Sequence, residues 1–178
     1  MPLKFFDSVD STQLEARRYV AAGHEEGASL LDKGIVFLAR EQLGGIGTQG
    51  RTWVSDDGGM YYTLLIRHTT ANSTTIEAIK QAVCMTVLSQ HLLAITPEAP
   101  NDFYVNGRKI GGMLVEYLRY NDTPVLLIGI GLNINQKKFP VDLYSHTTSM
   151  YLETSKVFSV KDIVKKLTEE LRLIIPQS

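Results

Sequence analysis

Residues 103–134 read FYVNGRKIGGMLVEYLRYNDTPVLLIGIGLNI, and this stretch decides the fold. Asn106-Gly107 lies between two extended runs and is typical of a type I′ hairpin turn, which needs positive φ at both central residues. A second turn at Asn121-Asp122 separates Lys109–Tyr120 from Pro124–Ile134. The stretch therefore predicts a meander of three antiparallel strands.

Helices and further strands flank this meander. The first helix follows Asp10-Ser11-Thr12, where Thr12 and Glu15 fit a capping box, and Gly23 stops it. The last helix begins at Ser159, carries one apolar stripe and ends at Pro176. The other predicted elements are strands at Lys4–Phe6, Gly34–Ala39 and Tyr61–Ile66, and a core helix from Thr75 to Leu93. This order predicts the α+β class, with a mixed, mostly antiparallel β-sheet flanked by helices.

The composition is that of one globular domain, because 44% of the 178 residues are hydrophobic and 21% are charged. Its 18 Lys and Arg residues balance 19 Asp and Glu residues, so no general field favours nucleic acid or anionic lipid. The single cysteine, Cys84, cannot form an internal disulfide, which suits a reducing compartment. No apolar run approaches the roughly 18 residues that a membrane span needs. We therefore expect a cytoplasmic protein that binds neither nucleic acid nor membrane.

Gly45-Ile46-Gly47-Thr48-Gln49-Gly50 forms a G-x-G-x-x-G pattern in a loop between two predicted strands. The dinucleotide-binding fingerprint needs a helix after this pattern, and here a strand follows. A protein kinase is excluded because the chain lacks the His-Arg-Asp and Asp-Phe-Gly motifs. Two interpretations stay open. The loop either holds its backbone amides, free to donate, against an anion beside Arg51, or it is a surface loop whose glycines only make turns.

Five motifs in register carry a resemblance to a known family. They are Asp10-Ser11-Thr12; Glu41-Gln42-x-Gly44-Gly45-x-Gly47-x-x-Gly50-Arg51-x-Trp53; Pro100-Asn101-Asp102; Lys109-Ile110-Gly111-Gly112-Met113-Leu114-Val115-Glu116; and Gly129-Ile130-Gly131-Leu132-Asn133-Ile134-Asn135. In order and spacing, over about residues 3 to 175, the chain resembles the biotin protein ligases.

The resemblance implies an ATP-dependent ligase that activates biotin as biotinyl-AMP and transfers it to a lysine of a biotin carboxyl carrier domain, that of acetyl-CoA carboxylase. Its ligands would be biotin, ATP and Mg²⁺ carried by the ATP phosphates. Residues 1–178 would form a single catalytic domain, and we expect neither the winged-helix nor the β-barrel domain that some relatives add. A homodimer, or carrier docking by strand addition, is a further hypothesis for the apolar strand Val125–Ile134.

The resemblance also implies roles for individual residues. Lys109 would bridge the biotin carboxylate and the α-phosphate, Asp102 would take the proton of the carrier lysine, and Arg51 would add positive charge. The implied biotin-binding residues are Ser11, Thr12, Gln42, Gly45, Trp53, Lys109 and Gly112, and the implied nucleotide-binding residues are Gly47, Gly50, Arg51, Asn101 and Asn133. Structural alternatives stay open, since Ser11 and Thr12 can cap a helix and Asn133 can end a strand.

The chain departs from the family pattern at several positions. Ile46 and Thr48 stand where the family carries arginines, Glu98-Ala99 stands for Lys-Trp, and Gln13 stands for the Asn after Ser-Thr. Glu98 would place negative charge near a triphosphate, where a close unit-charge interaction is of order a few kcal/mol.

Three hypotheses follow from these departures. The first is a working ligase that relies on Lys109, Arg51, Arg40 and Mg²⁺, with weaker nucleotide affinity and a leaky adenylate. The second is a catalytically impaired biotin- or carrier-binding domain that kept the scaffold. The third is a lipoate or octanoate transferase of the same superfamily.

Overall fold

The computed structural model of the chain describes residues 1–23, 27–67, 73–91, 93–98 and 100–175. Its strands are β1 (Leu3–Val9), β2 (Ile35–Gln42), β3 (Met60–Arg67), β4 (Thr96–Glu98), β5 (Asp102–Val105), β6 (Arg108–Tyr120) and β7 (Thr123–Leu132). Its helices are α1 (Thr12–Ala22), α2 (Gly27–Lys33), α3 (Ser73–His91), α4 (Met150–Thr154) and α5 (Val160–Ile174). The strands form one sheet in the order β1-β2-β3-β7-β6-β5-β4, in which β1 and β2 are parallel and the other described pairs are antiparallel. The predicted fold class is confirmed.

The sheet separates two apolar layers. On one face, residues of α3 and α5 such as Val83 and Leu167 pack with Leu64 and Ile128 of the sheet. On the opposite face, residues of α1 and α2 pack with Phe37. We call this second face the α1 face. Because successive side chains of a strand point to opposite faces, alternate residues of β3, β6 and β7 project to it.

The predicted meander is confirmed as β5, β6 and β7. Asn106 and Gly107 have φ values of 51° and 72°, as the type I′ turn requires. The predicted last helix is confirmed as well, since the Ser159 hydroxyl accepts a hydrogen bond from the Asp162 amide at 3.2 Å. Its predicted stop at Pro176 lies outside the described residues. The core helix, predicted to reach Leu93, is α3 and ends at His91, with Leu92 outside the described residues.

The capping prediction at the first helix was wrong by one residue. Ser11 is the N-cap, and its hydroxyl accepts from the Gln13 amide at 3.2 Å. The Thr12 hydroxyl is therefore released from capping and turns toward the sheet. Three short elements were not predicted, namely α2, β4 and α4, whose 7, 3 and 5 residues give little periodicity to detect.

The hypothesis that Val125–Ile134 forms a free sheet edge was also wrong. Strand β7 pairs with β3 on one side and with β6 on the other, so its apolar residues mark a central strand. The outer edge of β6 beyond Gly112 is instead unpaired with any strand in the part of the chain that the structure describes. Among the described helices, none combines the length and the apolar character that crossing a membrane requires.

Candidate active site

A cavity of about 270 Å³ opens on the α1 face. It lies between the amino terminus of α1, the glycine-rich loop of residues 42–55, strands β3, β7, β6 and β5, and the segment of residues 139–147. Its lining includes the predicted site residues Ser11, Thr12, Gln42, Gly47, Arg51, Trp53, Asp102, Lys109, Gly112 and Asn133. The fold therefore brings ten residues from five separate sequence motifs to one place.

Glycines of two neighbouring strands form the floor of this cavity. Gly131 of β7 lies opposite Gly112 of β6, and Gly129 follows on the same face of β7. A Cβ on Gly131 would lie 2.7 Å from Cε2 and Nε1 of the Trp53 indole, and a Cβ on Gly129 would lie 2.6 Å from Oε1 of Gln13. The floor is thus built from glycine because the side chains above it lie directly on the backbone.

Lys109, Asp102 and Trp53 form one end of the cavity. The Lys109 Nζ atom lies 2.8 Å from Oδ1 of Asp102 and 5.3 Å from the centroid of the Trp53 ring. The Lys109 and Asp102 side chains are 25% and 19% exposed, so solvent reaches both. A lysine ammonium has three donors, and the contact with Asp102 leaves the others for an incoming anion. The Lys109 side chain thus lies in the cavity wall, and its role in catalysis stays a prediction.

The other end of the cavity is polar and buried. Gln42 Oε1 accepts from the Thr12 amide at 2.8 Å and from the Thr12 hydroxyl at 3.1 Å. Gln42 Nε2 donates to the Ser55 hydroxyl at 2.8 Å, and that hydroxyl donates to the Trp53 carbonyl at 3.0 Å. These bonds fix the orientation of the Gln42 amide. Thr12 contacts Thr63 of β3 and Lys109 belongs to β6, and these two strands are two strand spacings or about 10 Å apart.

The glycine-rich loop is a narrow hairpin that covers the cavity. The Trp53 amide donates to the Gly45 carbonyl at 2.8 Å, and the Gly47 amide donates to the Arg51 carbonyl at 2.7 Å. The expectation of free backbone amides was therefore wrong for Gly47, because the hairpin uses this donor itself. The exposed Arg51 guanidinium donates to the Thr48 hydroxyl at 2.9 Å and to its carbonyl at 3.2 Å.

Four predicted residues lie outside the cavity wall. Gly45 is structural, because a Cβ there would lie 2.4 Å from the Trp53 carbonyl oxygen. Gly50 turns the loop at a φ of 72°. The Asn101 carbonyl accepts from the Met113 amide at 2.8 Å, which ties β6 to the preceding turn. Arg40 is exposed and faces Asp57 and Asp7 at 3.2 and 3.6 Å.

Asn133 lines the cavity but its amide is already used. The Asn133 Nδ2 atom donates to the Thr148 carbonyl at 3.0 Å, and the side chain is 3% exposed. This supports the structural alternative, in which Asn133 fixes the end of β7. A nucleotide could still contact its oxygen atom, so that role stays a prediction.

Some of the residues that depart from the family pattern line the cavity, and others lie away from it. Ile46 and Thr48 line the cavity, so the wall that the structure describes carries two basic residues, Lys109 and Arg51. Glu98 lies on the strand β4 at the sheet edge and pairs with Asp102. Its neighbour Ala99 lies outside the described residues.

Sequence reasoning missed the segment that closes the cavity beside Lys109. Phe139, Leu143 and Thr147 line it. The Lys109 amide donates to the His146 carbonyl at 2.8 Å, and the Thr148 amide donates to the Lys109 carbonyl at 2.9 Å. These two bonds tie the segment to the lysine. Its isolated apolar residues lack periodicity, so no sequence pattern indicates this role.

Mg²⁺ is expected to arrive with ATP as part of the substrate. Among the described residues, the His, Cys, Asp and Glu side chains form no cluster of three that could hold a metal ion. The one carboxylate on the described cavity wall belongs to Asp102, which already contacts Lys109. The described part of the chain therefore offers no resident metal site in this region, and Mg²⁺ stays a prediction.

Comparison with solved structures identifies relatives of this fold. Biotin protein ligase from Aquifex aeolicus in complex with biotin and ATP aligns with a TM-score of 0.80 and 26% identity, over 97% of this chain and 69% of that one. Biotin protein ligase from Leishmania major in complex with biotinyl-5-AMP aligns with a TM-score of 0.73 and 26% identity, over 97% and 74%.

Comparison of sequences agrees. The bifunctional ligase/repressor BirA of Bacillus spizizenii is 30% identical over 157 residues, which are 83% of this chain and 46% of that protein. The chain thus spans about half the length of this curated relative. The family model described as the biotin/lipoate A/B protein ligase family matches residues 6–135. The chain belongs to this family, and its fold is that of the biotin protein ligase catalytic domains.

Proposed function

We propose that this chain joins biotin to ATP, forming biotinyl-AMP and releasing pyrophosphate, and then transfers the biotinyl group to a lysine of a carrier domain. The observation that carries the proposal is a single cavity with two different ends. A buried polar end around Thr12 and Gln42 is joined by Trp53 to a charged end at Lys109 and Asp102. Biotin has the matching sequence of groups, a polar ring, an apolar chain and a carboxylate.

The polar end favours biotin over lipoate. A cyclic urea offers two N–H donors and one carbonyl acceptor, and Ser11, Thr12 and Gln42 offer hydroxyl and amide groups to pair with them. A dithiolane ring forms no comparable hydrogen bonds, so it would make no use of the bonding capacity that these groups keep beyond their bonds to one another, and each missing hydrogen bond costs about 0.5–1.5 kcal/mol. Biotin is therefore the acid that this cavity suits best.

The first step needs positive charge more than a base. A carboxylate is already ionised near neutral pH and can attack the α-phosphorus of ATP, while the bond to the pyrophosphate oxygen breaks. The Lys109 ammonium is in place to draw the two anions together and to stabilise charge on the transferring group. Asp102 holds the ammonium, and Trp53 packs against it. Arg51 would add a second charge after exchanging Thr48 for a phosphate oxygen.

The second step needs a proton acceptor. The carrier lysine is almost fully protonated at pH 7, and its deprotonation costs roughly 4.6 kcal/mol. Its free amine attacks the acyl carbon of biotinyl-AMP, an amide bond forms, and AMP leaves with the electrons of the acyl–oxygen bond. Asp102 is the carboxylate closest to Lys109 on the described wall and would take the proton. The relative from Paracoccus denitrificans is named biotin–[acetyl-CoA-carboxylase] ligase, which supports that carrier.

The test is direct chemistry on the purified chain. Incubation with biotin, ATP and Mg²⁺ should release pyrophosphate and form biotinyl-AMP, and addition of a biotin carboxyl carrier domain should add one biotin to one lysine, as seen by mass spectrometry. Lys109→Met should lower adenylation by a hundredfold or more, since electrostatic stabilisation of this kind is of that order. Lys161→Met in α5, on the opposite face of the sheet, is the matched control and should keep full activity.

A second candidate is a binding domain without turnover, and Ile46 and Thr48 favour it because they replace cations on the cavity wall. Calorimetry separates the two candidates. Biotin binding without ATP-dependent pyrophosphate release would support the binding domain and refute the ligase. In competition experiments, binding of lipoate or octanoate at lower concentration than is needed for biotin would instead favour the lipoate or octanoate transferase.

A further inference from the structure

A chain of hydrogen bonds leads from a carboxylate outside the cavity wall to a hydroxyl on it. Glu116 Oε2 accepts from Gln13 Nε2 at 2.7 Å, and Gln13 Oε1 accepts from the Thr63 hydroxyl at 3.1 Å. The Thr63 hydroxyl in turn lies 3.0 Å from the Thr12 hydroxyl. Gln13, Thr63 and Thr12 are each at most 3% exposed. These buried groups therefore depend on one another for their hydrogen bonds.

The charge on Glu116 decides which group donates and which accepts in each of these hydrogen bonds. Burial opposes ionisation of Glu116, but hydrogen bonds from Arg17 and Gln13 outweigh it and hold its pKa below the usual range. Arg17 donates to both carboxylate oxygens. An ionised carboxylate can only accept, so Gln13 must turn its NH₂ group toward Glu116 and its oxygen toward Thr63. The orientation of the Gln13 amide thus follows from the charge on Glu116.

The same donor and acceptor pattern extends through Thr63 to Thr12 in the cavity wall. The Thr63 hydroxyl has one hydrogen, and it is used on the Gln13 oxygen. The single Thr12 hydrogen then has two protein acceptors, the Thr63 oxygen at 3.0 Å and the Gln42 Oε1 atom at 3.1 Å. With its hydrogen used on either, Thr12 presents only lone pairs to the cavity.

We propose that Glu116 is a positioning residue that makes the Thr12 oxygen an acceptor for an N–H group of the bound ring. This inference rests on the proposed function, since the ring N–H belongs to the ureido group of biotin. Glu116 contacts neither the cavity nor the reacting atoms and acts through Gln13 and Thr63. It is the next residue after Leu114 on the α1 face of β6, one pair of residues beyond the wall.

Glu116→Gln is the diagnostic change. A glutamine at this position can donate to Gln13, so the Gln13 amide is free to reverse and present its NH₂ group to Thr63. The Thr63 hydrogen then points at Thr12 and occupies one of the lone pairs meant for the ligand. We expect the KM for biotin to rise about tenfold, the scale of one neutral hydrogen bond, and the KM for ATP to change less than twofold.

Arg17→Gln is the matched control, measured at pH 8. It removes the ion pair with Glu116 but keeps the carboxylate and its bond to Gln13, so the KM for biotin should stay within twofold of the wild type. Equal effects of the two substitutions on biotin, or equal effects of Glu116→Gln on biotin and ATP, would show a role in stability alone and overturn the proposal.

A double-mutant cycle with Thr63→Val tests the path itself. A valine side chain has no hydroxyl to link Gln13 to Thr12 by hydrogen bonds. Glu116→Gln should therefore change the KM for biotin less than twofold in the Thr63→Val background. A tenfold effect that persists there would overturn the proposal. Should Glu116→Gln fail to fold, Gln13→Met interrupts the chain at its next member and should give the same tenfold rise, again removed by Thr63→Val.

A ligand series gives a second readout. In two cyclic carbamate analogues of biotin, one or the other ring N–H is replaced by oxygen. The wild type should discriminate against one of them, and Glu116→Gln should reduce that discrimination several-fold. Unchanged discrimination would overturn the proposal while leaving the ligase intact, whereas a wild-type chain that does not bind biotin would overturn the proposed function.

Discussion

Replacement of Gly131 by alanine gives the most direct test of how the cavity floor works. The added Cβ would lie 2.7 Å from Cε2 and Nε1 of Trp53 and 2.9 Å from Cζ2. Ordinary carbon contacts begin at about 3.5 Å, so the indole must move by roughly 1 Å away from the sheet. Overpacking of this size costs about 1–3 kcal/mol, and a 1 Å displacement beside reacting groups can cost about a hundredfold in rate.

Trp53 is the single tryptophan of the chain, so its fluorescence reports this movement directly. We expect Gly131→Ala to change the emission of the free protein, raise the KM for biotin and lower the adenylation rate by about ten- to a hundredfold. Gly44→Ala is the matched control in the covering loop, because its Cβ would meet only the Asp10 carbonyl oxygen at 3.6 Å. Gly112→Ala, with contacts of 3.3 Å to Asp102 and Trp53, should be intermediate. Wild-type emission and kinetics in Gly131→Ala would refute the argument.

Four further results are expected. Asp102→Asn should slow transfer to the carrier lysine at least tenfold more than it slows pyrophosphate release, because the amide cannot take a proton; equal losses would contradict this. Glu153→Gln should lower the free energy of unfolding by about 2–3 kcal/mol in urea titrations, since the carboxylate accepts three hydrogen bonds from other side chains. Ser159→Ala should lower it by about 1 kcal/mol through loss of the cap of α5. Hydrogen bonds from Arg17 and Gln13 lower the pKa of Glu116 in the folded protein, against the effect of burial. The ionised Glu116 therefore stabilises the fold at pH values above its unfolded-state pKa of about 4.5, and this contribution is lost as the pH falls through the folded-state pKa. Between about pH 5 and 3, the wild type should therefore lose more stability than Arg17→Gln, and parallel pH profiles would exclude this linkage.

Much of the fold was predictable because its signals are local. The Asn106-Gly107 turn and the Ser159 cap each depend on a few adjacent residues with defined backbone requirements. The position of β7 within the sheet was not predictable, because an apolar strand can lie at the centre or at the edge of a sheet. Only its pairing with other strands determines which position it takes. The Thr12 cap failed for a similar reason. Ser11 and Thr12 are both good N-caps, and the hydrogen bond from Thr12 to Gln42 selected Ser11 for capping.

The candidate site was predictable where a motif keeps residues close in sequence. Lys109 and Gly112 lie on one strand, and both reach the cavity as expected. Gln13 was identified only as a departure from the family pattern, whereas the structure shows it bonded to residues 50 and 103 positions away. No spacing rule encodes such contacts, because they depend on the packing of α1 over the sheet.

The two basic residues of the described cavity wall differ in what they hold before any ligand binds. Lys109 faces the carboxylate of Asp102, so the pair together adds little net charge. Arg51 faces the hydroxyl and carbonyl of Thr48, which are neutral, so its full charge remains available. An incoming triphosphate would therefore be attracted mainly by Arg51, while Lys109 keeps its contact with Asp102 and offers its other donors. The replacement of a basic residue by Thr48 thus removes one charge but supplies the partner that orients the remaining one, and we expect Arg51 to govern nucleotide affinity and Lys109 to govern the rate of the chemical step.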